Sequence, residues 1–196
     1  MNLRPLFLIL LVLLFVFQKS ACASSTEEAD NRLKKAVGEV VAITGHAPDR
    51  KALQEGVKPI LDENISFEAM TRRAVGPGWR QFTPDQQKEA TQLFTILIIR
   101  TYTAKFTPGE LPVVTFKTPV TPAPGRVEIP TTSSYKGSQY DVVYRMEEAD
   151  SWRITDVVIE GVSMIANYRT QFDSEFKQGG APAVINALKR SLASHS

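Results

Sequence analysis

The chain is poor in the residues that carry most enzyme chemistry: among 196 residues it has one cysteine, Cys22, and two histidines, His46 and His195. A single cysteine cannot form an internal disulfide, so the fold must be held by its apolar core. Histidine is the usual base that activates a serine or cysteine nucleophile. Here one histidine follows a glycine in a turn-like stretch and the other precedes the last residue, which suits surface roles. No His, Cys or Asp cluster has metal-ligand spacing, and no glycine-rich loop follows a strand to open a phosphate-binding helix. An excess of one charge is missing too. There are 23 basic and 21 acidic residues, too even a balance for a nucleic-acid binder or a strong adsorber to anionic membranes.

Only one long hydrophobic run is present. Leu6 to Phe17 is uninterrupted and apolar, preceded by Arg4 and followed by Gln18-Lys19-Ser20, the layout of a secretory signal peptide. Twelve residues are too few for a bilayer core, which needs about 20 in a helix. Ala21-Cys22-Ala23 fits the small-x-small cleavage pattern, so residues 1–23 are expected to be removed and 24–196 to form one exported domain. Losing Arg4 and Lys19 leaves 21 bases against 21 acids. A chain of that length buries about two-thirds of its unfolded surface, enough for a core without covalent staples.

The remaining patterns predict an α+β fold: an antiparallel four-stranded meander wrapped by about six helices. Leu33, Val37, Val40, Val41 and Ile43 recur at near-helical spacing over 27–44, the mark of an amphipathic helix. Asp49 is placed to cap a second helix, in which Pro59 predicts a kink or break. Ser66 is placed to cap a third, which ends at Gly76-Pro77-Gly78. Thr83-Pro84-Asp85-Gln86 has the form of a capping box with proline at the first helical position. The helix it opens is expected to reach about Phe106 and, being apolar nearly all round, to form the spine of the core. Strands are expected near 112–118, 126–133, 138–147 and 151–160. In the fourth, the apolar phase changes between Ile154 and Val157, which calls for apolar contact on both faces or a bulge. Helices over about 162–177 and from Pro182 onward, separated by Gly179-Gly180, complete the chain.

Two fragments resemble catalytic motifs and fall short. Gly161-Val162-Ser163 begins like a nucleophile elbow, but Ile165 stands where the second glycine belongs, so Ser163 reads better as a helix cap. Asp156 and Glu160 on one strand would lie about 13 Å apart, too far for a glycosidase pair, and read as ion pairs or caps. A periplasmic hydrolase built on these three residues is the lesser alternative; the chain is expected not to be an enzyme. What stands out is an apolar and aromatic surplus: Phe94, Tyr102 and Phe106 on the spine helix, and Tyr140, Tyr144 and Trp152 on the sheet. These residues either fill the core or wall a greasy pocket, and composition by itself favours filling.

A longer pattern shifts that balance. The run Trp152-Arg153-Ile154-Thr155-Asp156-Val157-Val158-Ile159-Glu160-Gly161-Val162-Ser163-Met164-Ile165, continuing through Asn167, Tyr168, Arg169 and Phe172, resembles the signature of the MlaC or toluene-tolerance family of periplasmic phospholipid-binding proteins. Val75-Gly76, Trp79, Thr83, Gln86, Phe94 and Tyr102 are spaced like a second stretch of it. The resemblance implies a phospholipid carrier in the periplasm. Such a carrier exchanges lipid between an outer-membrane lipoprotein complex and an inner-membrane ABC transporter with an MCE-domain ring, maintaining outer-membrane lipid asymmetry. Another apolar lipid, such as a hopanoid, is the alternative cargo. No cofactor or metal is implied, and a monomer is expected. The apolar pocket between sheet and helices is then expected to be lined by Phe94, Leu97, Tyr102, Tyr140, Val142, Tyr144, Trp152, Ile154 and Met164. Arg72, Arg73 and Arg169, whose guanidinium groups match phosphate, are the candidates for the pocket mouth or a partner surface.

Overall fold

The computed structural model describes the backbone of residues 4–194 and the side chains of residues 25–194. The expected cleavage after Ala23, Cys22 and the side chain of His195 lie outside the described residues. Among the described residues no helix is long and apolar enough to cross a membrane.

Helix α1 (Arg4–His46) contains the amphipathic stretch expected over 27–44 and buries Ala29, Leu33 and Ala36. It passes Gly45, which is pressed against the side chain of Leu111, and ends where the His46 ring meets the Ala42 carbonyl oxygen at 2.7 Å. Asp49 caps α2 (Arg50–Asn64) by accepting from the Ala52 N–H at 2.8 Å. The helix runs through Pro59 without the expected break. Pro59 sits on the exposed side, where water can satisfy the carbonyl that its missing N–H leaves free. Ser66 does precede α3 (Phe67–Val75), but its side chain makes no cap. Its backbone N–H donates to the Ile154 carbonyl oxygen at 2.9 Å, tying the loop to the sheet.

Gly76, at φ 71°, begins a 3-10 turn over Gly76–Gln81 that buries Trp79. Both halves of the capping box are present at α4 (Pro84–Thr103): the Gln86 N–H donates to Thr83 Oγ1 at 3.2 Å, and the Thr83 N–H donates to Gln86 Oε1 at 2.9 Å. The helix stops three residues before Phe106. Pro108 keeps Thr107 out of helical angles, and Lys105 and Phe106 close the end with bonds to the carbonyls of Tyr102 and Thr103, each at 3.1 Å. Phe94, fully buried, stands edge-on to Tyr168 and Phe172 with ring centroids at 4.9 and 5.7 Å.

The sheet has six strands rather than four: β1 (Val113–Phe116), β2 (Val120–Ala123), β3 (Arg126–Tyr135), β4 (Ser138–Glu148), β5 (Trp152–Ile159) and β6 (Val162–Ser163). It is antiparallel throughout in the order β1-β3-β4-β5-β6, and β2 also pairs with β3. β1 and β2 lie end to end along one edge of β3, against Ser134–Thr131 and Glu128–Arg126 respectively. β2 escapes sequence patterning because Pro119, Pro122 and Pro124 crowd it, and an edge strand tolerates proline that a central strand rejects. β6 occupies residues expected to begin a helix. Lys136-Gly137 and Glu160-Gly161 all have positive φ, which makes the two tight hairpins that follow β3 and β5. The phase change in β5 is a bulge: Arg145 faces Asp156 and Met146 faces Ile154, leaving Thr155 without an opposite number. Ile154, Val157 and Ile159 therefore share the helix-facing side with Met146, Tyr144 and Val142.

Helix α5 (Met164–Ser194) joins the last two expected helices, with a kink where Gly179 and Gly180 leave helical angles. The outcome is five helices and a 3-10 turn in place of six helices. α3, α4 and α5 pack on one another, with α3 and α5 reaching β5, while α1 and α2 pack together, α1 on β3 and β5 and α2 on β5.

Candidate functional site

Between the helix-facing side of the sheet and helices α1, α2 and α4 lies an apolar cavity of about 250 Å³. Its walls are Val37 and Val40 of α1, Ile98 and Tyr102 of α4, and Val142, Tyr144, Ile154 and Val157 of the sheet, with Met164 at the start of α5. Three of the polar residues in this wall bond back along their own helices. Thr44 donates to the Val40 carbonyl oxygen at 2.8 Å, Thr103 to that of Ile99 at 2.6 Å, and the Asn64 amide to that of Ile60 at 2.9 Å. Each side chain satisfies itself on its own helix and leaves carbon facing inward.

A second space of about 360 Å³ adjoins the first and shares Tyr102, Phe106, Ser133, Val142 and Ile159 with it. It adds Lys105, Tyr135 and Tyr140, and it opens to solvent, since Tyr140 is 42% exposed. The two spaces together form a largely apolar slot, with its one cation in the second part, within the range of about 300–1,000 Å³ common for ligand pockets. Burial pushes the Tyr144 hydroxyl up to about 12. Tyr102 is also raised to about 12, by burial first and then by Tyr168 and Asp156 nearby. Both phenols stay neutral donors over the whole physiological range.

Of the nine residues expected to line a pocket, the structure brings six to these two spaces: Tyr102, Tyr140, Val142, Tyr144, Ile154 and Met164. Phe94, Leu97 and Trp152 are buried in the core but touch neither space. Their size and period mark them as interior, and periodicity alone cannot tell a filled interior from a hollow one. Val157, Ile159, Val37 and Val40 were not singled out. The β5 bulge, once placed at Thr155, puts the first two on the cavity side, and the α1 stripe supplies the others.

None of the three arginines expected at the pocket mouth or a partner surface lines either apolar space. Arg73 and Arg169 line a separate polar groove of about 630 Å³, together with Arg126, Arg145, Glu128 and Glu147. Arg73 and Arg126 both pair with Glu147, and Arg145 pairs with Glu128 at 2.9 Å. Arg72 is exposed on α3 and belongs to neither space. The cation at the cavity mouth is Lys105, which stands three residues after Tyr102 and could have been found by extending the spine stripe past the helix end.

Asp156 and Ser163, the residues with a catalytic flavour, are engaged in structure. Asp156 Oδ2 accepts from the Ser163 hydroxyl at 2.7 Å and from Arg145 at 3.1 Å, while Oδ1 accepts from the Ile165 N–H at 3.2 Å. Ser163 Oγ in turn accepts from the Ala166 N–H at 3.0 Å. This is the bonding of a doubly capped helix start. Glu160 has left the strand at positive φ, and its carboxylate accepts from the Asp141 N–H.

Comparison with known proteins finds both a family and solved structures similar to this chain. The family described as "MlaC protein" matches residues 33–190. Among solved structures, the phospholipid-binding protein from Ralstonia solanacearum, determined in complex with a phospholipid, superposes with a TM-score of 0.77 at 27% identity, covering 86% of this chain and 98% of that one. No curated protein sequence matches.

Proposed function

The chain belongs to the MlaC family, and from that membership together with the hollow interior we propose that it is a periplasmic phospholipid carrier. The observation that carries the reading is the slot between sheet and helices, apolar at its floor and open at Tyr140. Placing two tails of about 16 carbons in water costs about 25 kcal/mol, at roughly 0.8 kcal/mol per CH₂. Unaided passage between two membranes is therefore negligible. A carrier that offers carbon on all sides removes most of that cost. Its hold must still lie within a few kcal/mol of the bilayer's, or loading and release would not both proceed. The Ralstonia relative, whose fold this chain shares, was solved with a phospholipid, which supports the same cargo class here.

In this reading the acyl chains lie against Val142, Tyr144, Ile154, Val157 and Met164, with the head group toward Tyr140. Donor and acceptor are an outer-membrane lipoprotein complex and an inner-membrane MCE-domain transporter, and energy for directional transport comes from the latter. The test is solvent extraction of the natively purified protein followed by mass spectrometry. Near-stoichiometric phospholipid is expected; a lipid-free extract overturns the proposal, and a sterol-like or hopanoid species redirects it.

A further inference from the structure

The mouth of the slot is chemically one-sided. Its lining contains one charged residue, Lys105, and four hydroxyls, on Tyr102, Ser133, Tyr135 and Tyr140, with no carboxylate among them. The acids nearest in sequence to the rim are engaged elsewhere: Glu110 with Lys136 at 3.1 Å, Asp141 with Lys117 at 2.9 Å and with the Thr132 hydroxyl at 3.0 Å, and Glu160 with the Asp141 N–H. Tyr135 already accepts from the Thr107 N–H at 2.7 Å, which leaves its own proton free to be donated. The mouth therefore presents one cation and several hydrogen-bond donors to whatever occupies it.

We infer that Lys105 selects the head group: the slot favours lipids whose phosphate is not paired with an amine. This rests on the carrier reading and sharpens it to a ligand class. A phosphodiester offers only acceptor oxygens, which suits a ring of donors around an ammonium group. A glycerol or bare phosphate end completes that match. An ethanolamine end brings a second cation to a rim that supplies no acid for it and already holds Lys105. The competing role for Lys105 is structural, as a cation beside the negative end of α4. That role would alter stability without altering which lipid is bound.

The experiment loads the protein from vesicles of equimolar phosphatidylglycerol and phosphatidylethanolamine, re-isolates it and measures the extracted lipids by mass spectrometry. An exposed ion pair is worth a factor of about two to five, so the wild type should carry about two- to fivefold more phosphatidylglycerol. Lys105→Gln should bring the ratio near unity, Lys105→Arg should keep the preference and Lys105→Glu should reverse it. High salt should compress the ratio, since the group is exposed. Inorganic phosphate should compress it no more than chloride at equal ionic strength, because tails anchor the head group and free phosphate has none. A wild-type ratio of unity with lipid bound at low salt, a ratio indifferent to Lys105→Gln, or a loss to phosphate beyond that in matched chloride each overturns the inference while the carrier reading stands. Absence of lipid under all conditions removes both.

Discussion

Replacing Asp156 by alanine tests whether the motif around Ser163 is architectural. The carboxylate is 90% shielded and holds three elements together: Arg145 of β4, the Ser163 hydroxyl of β6 and the Ile165 N–H at the start of α5. Hydrogen bonds to a charged group contribute about 1.5–3 kcal/mol each, and two are lost. The ion pair adds little, because Arg145 is 46% exposed and keeps Glu128 as a second partner. The expected loss is therefore about 3–5 kcal/mol, most of it from the orphaned Ile165 N–H and Ser163 hydroxyl. For a domain of this size each kcal/mol moves the melting temperature by about 2–4 °C. Thermal unfolding followed by circular dichroism should thus shift down by about 6–20 °C. Asp156→Asn, which keeps one acceptor oxygen, should lose about half as much. A shift below about 3 °C for the alanine variant would refute the reasoning and reopen a chemical role for the carboxylate.

Filling the cavity with Val157→Trp should abolish co-purified lipid in the extraction assay while leaving the circular dichroism spectrum native, at an overpacking cost of about 1–3 kcal/mol. Phe94→Ala, in the core but outside the slot, should do the reverse: about 3–5 kcal/mol less stable by urea denaturation, with its lipid retained below the transition. Tyr102 and Tyr144 are raised from 10.0 to about 12 in the folded protein. Their neutral forms are favoured by the fold, so the stability they contribute is complete below pH 10 and is lost as pH rises toward 12, where the unfolded chain ionises first. Phenolate absorbance should show late ionisation at Tyr102, Tyr144 and Tyr168, the last also raised by burial, and Tyr144→Phe should flatten the alkaline fall in stability; five tyrosines ionising together near 10 would contradict this.

Much of the architecture could be read in the chain because its signals are local. The Thr83 capping box, the Asp49 cap and the Tyr140-Val142-Tyr144-Met146 alternation each declare an element within a few residues, and each is present. β2 and β6 were opaque for physical reasons: one is an edge strand full of proline, the other two residues long and followed at once by a helix. Of the kink or break expected at Pro59, the break is absent because a proline on a solvent-facing turn costs less than one in a packed helix. The cavity itself is a matter of what is not packed, and no residue pattern encodes an absence. Phe94, Leu97 and Trp152 carry the same periodic signature as Tyr144 and Ile154, and only the three-dimensional arrangement separates core from wall. Guanidinium chemistry alone left Arg73 and Arg169 open to a pocket mouth or a partner surface, and the structure places both on the polar groove, Arg73 paired with Glu147.

The unpaired Thr155 lets a single strand serve two masters. Upstream and downstream of it, Ile154 and Val157 look toward the hollow, while between them Asp156 looks the other way and grips the beginning of α5. Give that supernumerary residue a partner and the alternation runs unbroken: either Ile154 turns from the hollow, or Val157 and Ile159 do and the final helix loses its mooring. A chain that must be both empty inside and firmly closed at its end thus depends on a miscount of one.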